Sequence, residues 1–181
     1  MRILVTGKDG QVGGALAALP WNHHEMLFAG RSSCDLSDPQ SIRDLVRQAA
    51  PQVIVNTAAY TAVDKAESEP EICFAINAAA PGVFAQEAAR LDALLIHYST
   101  DYVFDGEKNA PYVESDPIAP LSVYGSSKAV GEAAIANATR RYLVLRTTWV
   151  YAAQGKNFLR TMLRLAEDRP ELRVVDDQIG A

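Results

Sequence analysis

The sequence predicts an α/β protein built on a doubly wound parallel sheet. Short apolar segments of strand length alternate with longer segments of helical periodicity along the chain. The first apolar segment, Arg2–Thr6, runs directly into a glycine-rich turn and then into a helical pattern. Strands joined by helical crossovers are parallel, and their helices cover both faces of the sheet. We therefore expect the strand order 3-2-1-4-5-6, with ligands at the carboxyl ends of the strands.

Composition narrows the class of protein. The 181 residues suffice for one domain with a sizeable core, and 49% hydrophobic with 22% charged residues is typical of soluble globular proteins. The net charge of −5 argues against a nucleic-acid surface. Signal-peptide and membrane-span patterns are absent, so we expect a cytoplasmic protein without a membrane partner. Cys34 and Cys73 match no disulfide or metal pattern, so we interpret them as packing residues and expect no metal.

A glycine turn follows the first strand. Gly7, Gly10 and Gly13 have the spacing G-x-x-G-x-x-G, and a helical pattern that includes Val12 continues to Pro20. Strand, glycine turn and helix in this order form a dinucleotide-binding fingerprint, in which the backbone approaches a pyrophosphate. The spacing differs from the more familiar G-x-G-x-x-G. The alternative is a glycine turn that binds no ligand.

The second strand, residues 26–29, ends beside a basic residue. NAD-binding enzymes usually have an acidic residue near this position, which accepts a hydrogen bond from the ribose. Here Arg31 and Ser32 suit a 2′-phosphate instead, which favours NADPH and leaves NADH open. The alternative is a solvated surface arginine. Asp35 and Leu36 follow, where they could bracket an adenine ring.

The middle of the chain continues the alternation. A helix begins near Pro39, and the third strand covers residues 53–55. Small residues after that strand would let a cofactor lie across its end. A long Ala-rich helix over residues 71–91 and a fourth strand over 93–99 follow.

The last part of the chain starts with a broken loop over residues 100–123, which its length marks as functional. A helix should run from Tyr124 to about residue 137, and a fifth strand covers residues 142–146. Asn157 caps another helix, and residues 172–175 are predicted to form a sixth strand.

Tyr124 and Lys128 form the candidate catalytic pair. Four residues separate them, so both side chains share one face of a helix. A nearby ammonium favours the phenolate, and we expect Lys128 to lower the pKa of Tyr124. Thr100, after an apolar run, offers a hydroxyl to a substrate carbonyl, and the three groups together suit reduction of a ketone. Alone, the Tyr-x-x-x-Lys spacing is weak evidence, because it also arises by chance.

The three histidines match no catalytic role. We assign His23 and His24 to the surface and His97 to the fourth strand.

Five stretches, residues 7–13, 56–67, 99–106, 124–128 and 146–151, closely resemble the extended short-chain dehydrogenase/reductases. Within them the chain is similar to the dTDP-4-dehydrorhamnose reductases. The resemblance implies an NAD(P)-binding Rossmann fold and reduction of the 4-keto group of dTDP-4-dehydro-L-rhamnose, a step toward bacterial surface polysaccharide.

The resemblance also implies roles for single residues. Tyr124 would protonate the alkoxide, Lys128 would hold the nicotinamide ribose, and Thr100 would bind the carbonyl. The sugar site would include Thr61, Asp101 and Trp149, although Trp149 has a core position as its alternative. The cofactor-binding residues would be Gly7, Gly10, Gln11, Val12, Gly13, Arg31, Ser32, Asp35, Leu36, Ala58, Ala59, Tyr60, Ser99, Tyr124 and Lys128.

The family's chain continues beyond residues 177–181 into a smaller C-terminal portion that completes the nucleotide-sugar site. We therefore expect residues 1–181 to be the NAD(P)-binding Rossmann domain alone. A nucleotide sugar is the expected partner, and a homodimer is compatible with the resemblance. Two alternatives stay open: a reductase of another 4-keto-6-deoxy nucleotide sugar, and a non-catalytic NADP-binding subunit like the regulatory subunit of methionine adenosyltransferase.

Overall fold

The computed structural model describes residues 1–153, 155 and 157–175. Its described part contains one sheet of five parallel strands: β1 (Arg2–Thr6), β2 (Glu25–Ala29), β3 (Val53–Asn56), β4 (Leu94–Thr100) and β5 (Tyr142–Thr147). The α-helices are α1 (Gln11–Ala17), α2 (Pro39–Ala49), α3 (Val63–Ala66), α4 (Pro70–Phe74), α5 (Ala80–Leu91), α6 (Val123–Ala138) and α7 (Phe158–Asp168). A π-helical segment (Ala75–Ala79) joins α4 to α5, and a 3₁₀ turn (Asp101–Val103) follows β4.

The doubly wound parallel sheet is confirmed, but the predicted strand order is wrong. The strands lie in the order β2-β1-β3-β4-β5, and β3 pairs with β1 on the side opposite β2. The crossover after β2 passes back over β1, so the winding direction reverses one strand earlier than predicted. As a result the carboxyl ends of β1 and β3 are neighbours, and such a reversal point is where ligands bind in doubly wound sheets.

The predicted sixth strand is also wrong. Residues 171–175 have no strand conformation, and Val174 and Val175 are exposed. A β-strand needs a hydrogen-bonded neighbour, and this segment pairs with none of the described strands. Within the described residues the sheet therefore ends at β5. Residues 177–181, after which the family's chain is expected to continue, lie outside the described residues.

Local signals place the helix starts close to their predicted positions. The Asp38 carboxylate accepts a hydrogen bond from the Gln40 backbone N–H at 2.8 Å and caps α2. The Ser122 hydroxyl accepts a hydrogen bond from the Gly125 N–H at 3.0 Å and caps α6. The helix begins at Val123, one residue before its predicted start at Tyr124. Asn157 caps α7 as predicted.

The core lies between the sheet and one layer of helices. In that layer α5 packs between α2 and α6. Phe84, Leu95 and Ile135 are fully buried there. Cys34 and Cys73 are buried free cysteines, which confirms their packing role. The right-handed crossover rule places α1 on the opposite face.

None of the helices described by the structure is long and apolar enough to cross a membrane.

Candidate functional site

The glycine turn after β1 is shaped for close backbone contact. Gly7 has a φ of +75°, and a Cβ there would lie 2.7 Å from Thr57 Oγ1 and 2.9 Å from the Ala58 nitrogen. The Gly10 N–H donates to the Gly7 carbonyl at 2.9 Å, and a Cβ on Gly13 would clash with that carbonyl. The turn thus requires glycine at positions 7 and 13 and lies directly against the segment that follows β3.

Two buried polar atoms near this edge have no hydrogen-bond partner among the described residues. They are Gln11 Oε1, at the start of α1, and Ser99 Oγ, near the end of β4. A buried polar atom is costly unless it is paired, and such atoms commonly mark an absent ligand. Both residues are in the predicted cofactor set, so the site fits a dinucleotide that offers hydroxyl and amide groups.

The predicted adenosine end of the site lies after β2. Arg31 and Ser32 are exposed there and accessible to a ligand. The Asp35 carboxylate accepts from the Ser37 N–H at 2.9 Å and from its hydroxyl at 2.7 Å, and these hydrogen bonds lower the pKa of Asp35. Leu36 is half-buried and packs against the core. Arg31 and Ser32 are therefore freer than Asp35 and Leu36 to contact a cofactor.

The segment after β3 is clamped by the π-helical segment. Ala58, Ala59 and Tyr60 are half-buried. The Tyr60 N–H donates to Asn77 Oδ1 at 2.9 Å, and Asn77 Nδ2 donates to the Tyr60 carbonyl at 2.9 Å. Asn77, which is 1% exposed, was not predicted as a site residue. Its only signal in the sequence is an asparagine in an Ala-rich helix. π-helical turns are frequent at functional sites.

Thr100 and Tyr124 meet where β4 ends against the first turn of α6. The Thr100 hydroxyl donates to Asp101 Oδ1 at 3.0 Å and accepts from the Tyr102 N–H at 3.2 Å. Burial raises the pKa of Tyr124, a hydrogen bond with Thr100 opposes this rise, and the nearby Asp101 charge adds to it. Tyr124 therefore keeps its proton at neutral pH, as a proton donor must.

Lys128 is buried at the same edge, with 1% of its surface exposed. Its Nζ donates to the Tyr98 carbonyl at 2.6 Å and lies 3.1 Å from His97 Nε2. Burial lowers the pKa of Lys128 to about 8, although the nearby Glu132 and Cys73 act in the opposite direction. An amine with this pKa gains and loses its proton close to neutral pH.

The expectation that Lys128 lowers the pKa of Tyr124 is wrong for this structure. The pKa of Tyr124 is raised instead, first of all by burial. The reason is geometric, because Lys128 Nζ is directed toward β4 by its contacts with Tyr98 and His97.

His97 lies in β4 as predicted, but its contact with Lys128 was missed. Its ring is 1% exposed, and its Nδ1 lies 3.0 Å from Asn56 Nδ2. Burial, with a smaller effect of the Lys128 charge, holds the pKa of His97 well below its usual value, so the ring is neutral. His23 and His24 are exposed, as predicted.

The predicted sugar-binding residues are much less enclosed. Asp101 is half-buried and Thr61 is exposed. Trp149 is 47% exposed with a φ of 49°, and its ring lies edge-on to Phe158 with 6.1 Å between the centroids. Within the part of the chain that the structure describes, Trp149 therefore lies outside the core.

The structure brings the predicted residues together in two groups. Thr100 and Tyr124 meet where β4 ends against the first turn of α6, and Lys128 lies one turn further along α6 with its Nζ against β4. Arg31 and Ser32 lie after β2, three strand positions away, or about 14 Å at the usual strand spacing. An elongated ligand lying across the strand ends would contact both groups. Among the described residues, no cluster of His, Cys, Asp and Glu could hold a metal ion.

A family model and individual relatives of known sequence identify the same family for this chain. The model of the RmlD substrate binding domain family matches residues 1–181. The chain is 50% identical over 181 residues to a dTDP-4-dehydrorhamnose reductase from Burkholderia thailandensis, covering 100% of this chain and 61% of that protein. It is 48% identical over 189 residues to one from Escherichia coli K12, covering 100% of this chain and 62% of that protein. The chain thus spans a little over three-fifths of these relatives.

Solved structures with a similar fold belong to the same kind of reductase. A dTDP-4-dehydrorhamnose reductase from Clostridium acetobutylicum superposes with a TM-score of 0.94 at 36% identity, over 98% of this chain and 64% of that one. One from Bacillus anthracis, solved in complex with NADP, gives a TM-score of 0.91 at 34% identity, over 94% of this chain and 61% of that one.

Proposed function

The chain belongs to the RmlD substrate binding domain family, and we propose that its full-length protein reduces dTDP-4-dehydro-L-rhamnose to dTDP-L-rhamnose with NADPH. The main support for this proposal is the placement of Thr100 and Tyr124 at the carboxyl edge of the sheet, with the buried Lys128 on the same face of α6. The Tyr124 phenol keeps its proton and hydrogen-bonds with the Thr100 hydroxyl. Residues 1–181 are proposed to be the NAD(P)-binding domain, with the sugar site completed by further chain.

Each of the three side chains has a proposed task. The Thr100 hydroxyl turns from Asp101 to the keto oxygen of the substrate and donates a hydrogen bond to it. Tyr124 then gives its phenolic proton to that oxygen, so one O–H bond breaks and another forms. Lys128 holds the nicotinamide ribose. When bound, the nicotinamide supplies the hydride that reduces the keto carbon.

The cofactor is proposed to lie across the strand ends, from Arg31 and Ser32 to Tyr124 and Lys128. The glycine turn would hold its pyrophosphate. Gln11 Oε1 and Ser99 Oγ have no partner among the described residues, so Gln11 Oε1 would accept a hydrogen bond from the cofactor and the Ser99 hydroxyl would accept or donate one. The related Bacillus anthracis structure contains NADP, which supports this choice.

Replacement of Arg31 tests the choice of cofactor. Arg31→Ala removes an exposed cation assigned to the 2′-phosphate, which only NADPH carries. We expect NADPH to bind roughly tenfold more weakly, about 1.4 kcal/mol, with NADH binding nearly unchanged. Fluorescence titration with both cofactors measures the two dissociation constants, and Arg140→Ala, which removes an exposed arginine after α6, serves as the control. Equal losses for NADPH and NADH would remove Arg31 from the 2′-phosphate site.

On the substrate side, Thr61, Asp101 and Trp149 are proposed to contact the sugar nucleotide. The reaction is placed in the cytoplasm, and a homodimer is the proposed assembly.

The activity itself is tested with the full-length protein, NADPH and dTDP-4-dehydrorhamnose. Loss of NADPH absorbance together with dTDP-rhamnose in the mass spectrum is the expected result. If only another 4-keto-6-deoxy nucleotide sugar is turned over, the proposed substrate is wrong and the proposed type of reaction is correct. Tight NADPH binding without turnover of any such sugar would contradict the proposal and favour a non-catalytic binding subunit.

A further inference from the structure

A continuous chain of hydrogen bonds runs beneath the candidate site. Asn56 Oδ1 accepts from the Ala58 N–H at 3.3 Å, and Asn56 Nδ2 lies 3.0 Å from His97 Nδ1. His97 Nε2 lies 3.1 Å from Lys128 Nζ, which donates to the Tyr98 carbonyl at 2.6 Å. Asn56, His97 and Lys128 are each no more than 1% exposed, so water is kept away from them.

The two ends of this chain fix the direction of every bond in it. A backbone N–H can only donate and a backbone carbonyl can only accept. Because Ala58 donates to Asn56 Oδ1, the amide NH₂ of Asn56 faces His97 and donates to Nδ1. A neutral imidazole carries one proton, which must then lie on Nε2, facing Lys128.

The state of Lys128 follows from this tautomer. A neutral amine has a lone pair that can accept from His97 Nε2–H and still donates to the Tyr98 carbonyl. An ammonium has three N–H groups and no acceptor, so it would set two donors against each other. Every group in the chain is satisfied only when Lys128 is neutral, and a mismatch between buried donors is costly.

We propose that Asn56 and His97 are positioning residues that fix the place of Lys128 Nζ and oppose its protonation by presenting His97 Nε2–H to it. The role of Lys128 in the reaction rests on the proposed function, but the hydrogen-bond chain does not. The consequence is that Lys128 releases its proton close to neutral pH.

The other ionisable groups that face Lys128 either raise its pKa or carry no charge. Glu132, one turn along α6, and Cys73 of α4 both favour the ammonium. Tyr124, on the same face of α6, is protonated at neutral pH. The pKa of Lys128 nevertheless lies at about 8, below its usual 10.5, with burial as the main cause. A His97 donor acts in the same direction as burial.

The test is an NMR titration of full-length protein that carries ¹³C-labelled lysine side chains, with Lys128→Met used to assign the Lys128 signal. We expect the native Lys128 to titrate at about 8. In His97→Gln the side-chain oxygen can turn toward the ammonium and remove the mismatch, so the pKa of Lys128 should rise by about one to two units. Asn56→Asp, which accepts from His97 Nδ1 and moves the ring proton away from Lys128, should also raise it.

The control is Thr6→Val. The Thr6 hydroxyl donates to Asn56 Oδ1 at 2.6 Å, but the Ala58 N–H still orients the amide without it. The pKa of Lys128 should therefore stay unchanged. An unchanged pKa of Lys128 in His97→Gln, or in Asn56→Asp if His97→Gln does not fold, would overturn the proposal. An equal rise in Thr6→Val would overturn it as well.

A second measurement needs no variant. The ¹⁵N chemical shifts of His97 in the native protein distinguish the two neutral tautomers. A proton on Nε2 supports the proposal, and a proton on Nδ1 contradicts it. Neither NMR measurement depends on turnover. An inactive protein would therefore count against the proposed reaction, while the NMR results would still decide the role of Asn56 and His97.

Discussion

The β3–β4–α6 edge and the segment after β5 hold their side chains in very different ways. At the first, Asn56, His97 and Lys128 are at most 1% exposed and joined by hydrogen bonds. In the second, Trp149 is 47% and Tyr151 76% exposed, and no residue of α7 is buried.

This difference matches two tasks of the proposed function. Proton transfer needs fixed distances and a site from which water is excluded, as at the buried edge. The residues proposed to contact the sugar nucleotide need access from solvent, which Thr61 and Trp149 have. Substitutions in the two regions should therefore change different measured quantities.

A large effect on turnover is expected for Lys128→Met in the full-length protein. Methionine keeps most of the apolar stem and removes the amine that is assigned to the nicotinamide ribose. We expect kcat to fall by at least about 10²-fold, the low end for loss of proton-transfer catalysis, and NADPH to bind more weakly as well. Steady-state kinetics measures kcat, a cofactor titration measures the dissociation constant of NADPH, and circular dichroism shows whether the variant is folded. A variant that loses only stability would show that Lys128 is a packing residue.

A matched pair of truncations in the 181-residue chain tests the difference in packing. Ile135 of α6 is fully buried, whereas Leu163 of α7 is 60% exposed. Ile135→Ala should lower the free energy of unfolding by about 2–5 kcal/mol, and Leu163→Ala by less than about 0.5 kcal/mol. Urea denaturation gives both values. Similar losses would mean that α7 is packed as tightly as α6.

The smallest effect is expected on the solvent side. Trp149→Ala should raise the KM for the sugar nucleotide roughly tenfold, about 1.4 kcal/mol, because an aromatic contact is lost. It should leave kcat and NADPH affinity nearly unchanged, since Trp149 is not part of the buried edge. Tyr151→Ala, a more exposed aromatic two residues away, is the control. A fall in kcat without a change in KM would place Trp149 in the proton-transfer machinery.

Local features made much of the fold predictable. The cap and proline at Asp38 and Pro39 act within a few residues, and the start of α2 was found from them. The glycine turn was recognised from its spacing, and the clash that a Cβ would cause at Gly13 gives the physical reason. The Tyr124–Lys128 spacing identified a helix face that proved to lie at the end of β4.

Features that depend on distant contacts were not predictable in the same way. Strands and helices alternate along the chain in the same way in the 3-2-1-4-5-6 order and in the observed order. The hydrophobic periodicity of the sequence therefore does not show on which side of β1 the strand β3 pairs. Val174 and Val175 have high β-propensity, but a strand also needs a paired neighbour. His97 and Lys128 are 31 residues apart and meet only because α6 packs on β4.

Single-turnover kinetics of the full-length Tyr124→Phe variant tests whether Tyr124 donates the proton to the substrate. The substitution keeps the ring against Tyr102 and removes the proton. Enzyme with bound NADPH is mixed with dTDP-4-dehydrorhamnose, and oxidation of NADPH is followed in one turnover, so product release cannot hide the chemical step. We expect the rate to fall by about 10²–10⁴-fold with NADPH affinity unchanged. A rate close to that of the native protein would mean that Tyr124 does not donate the proton.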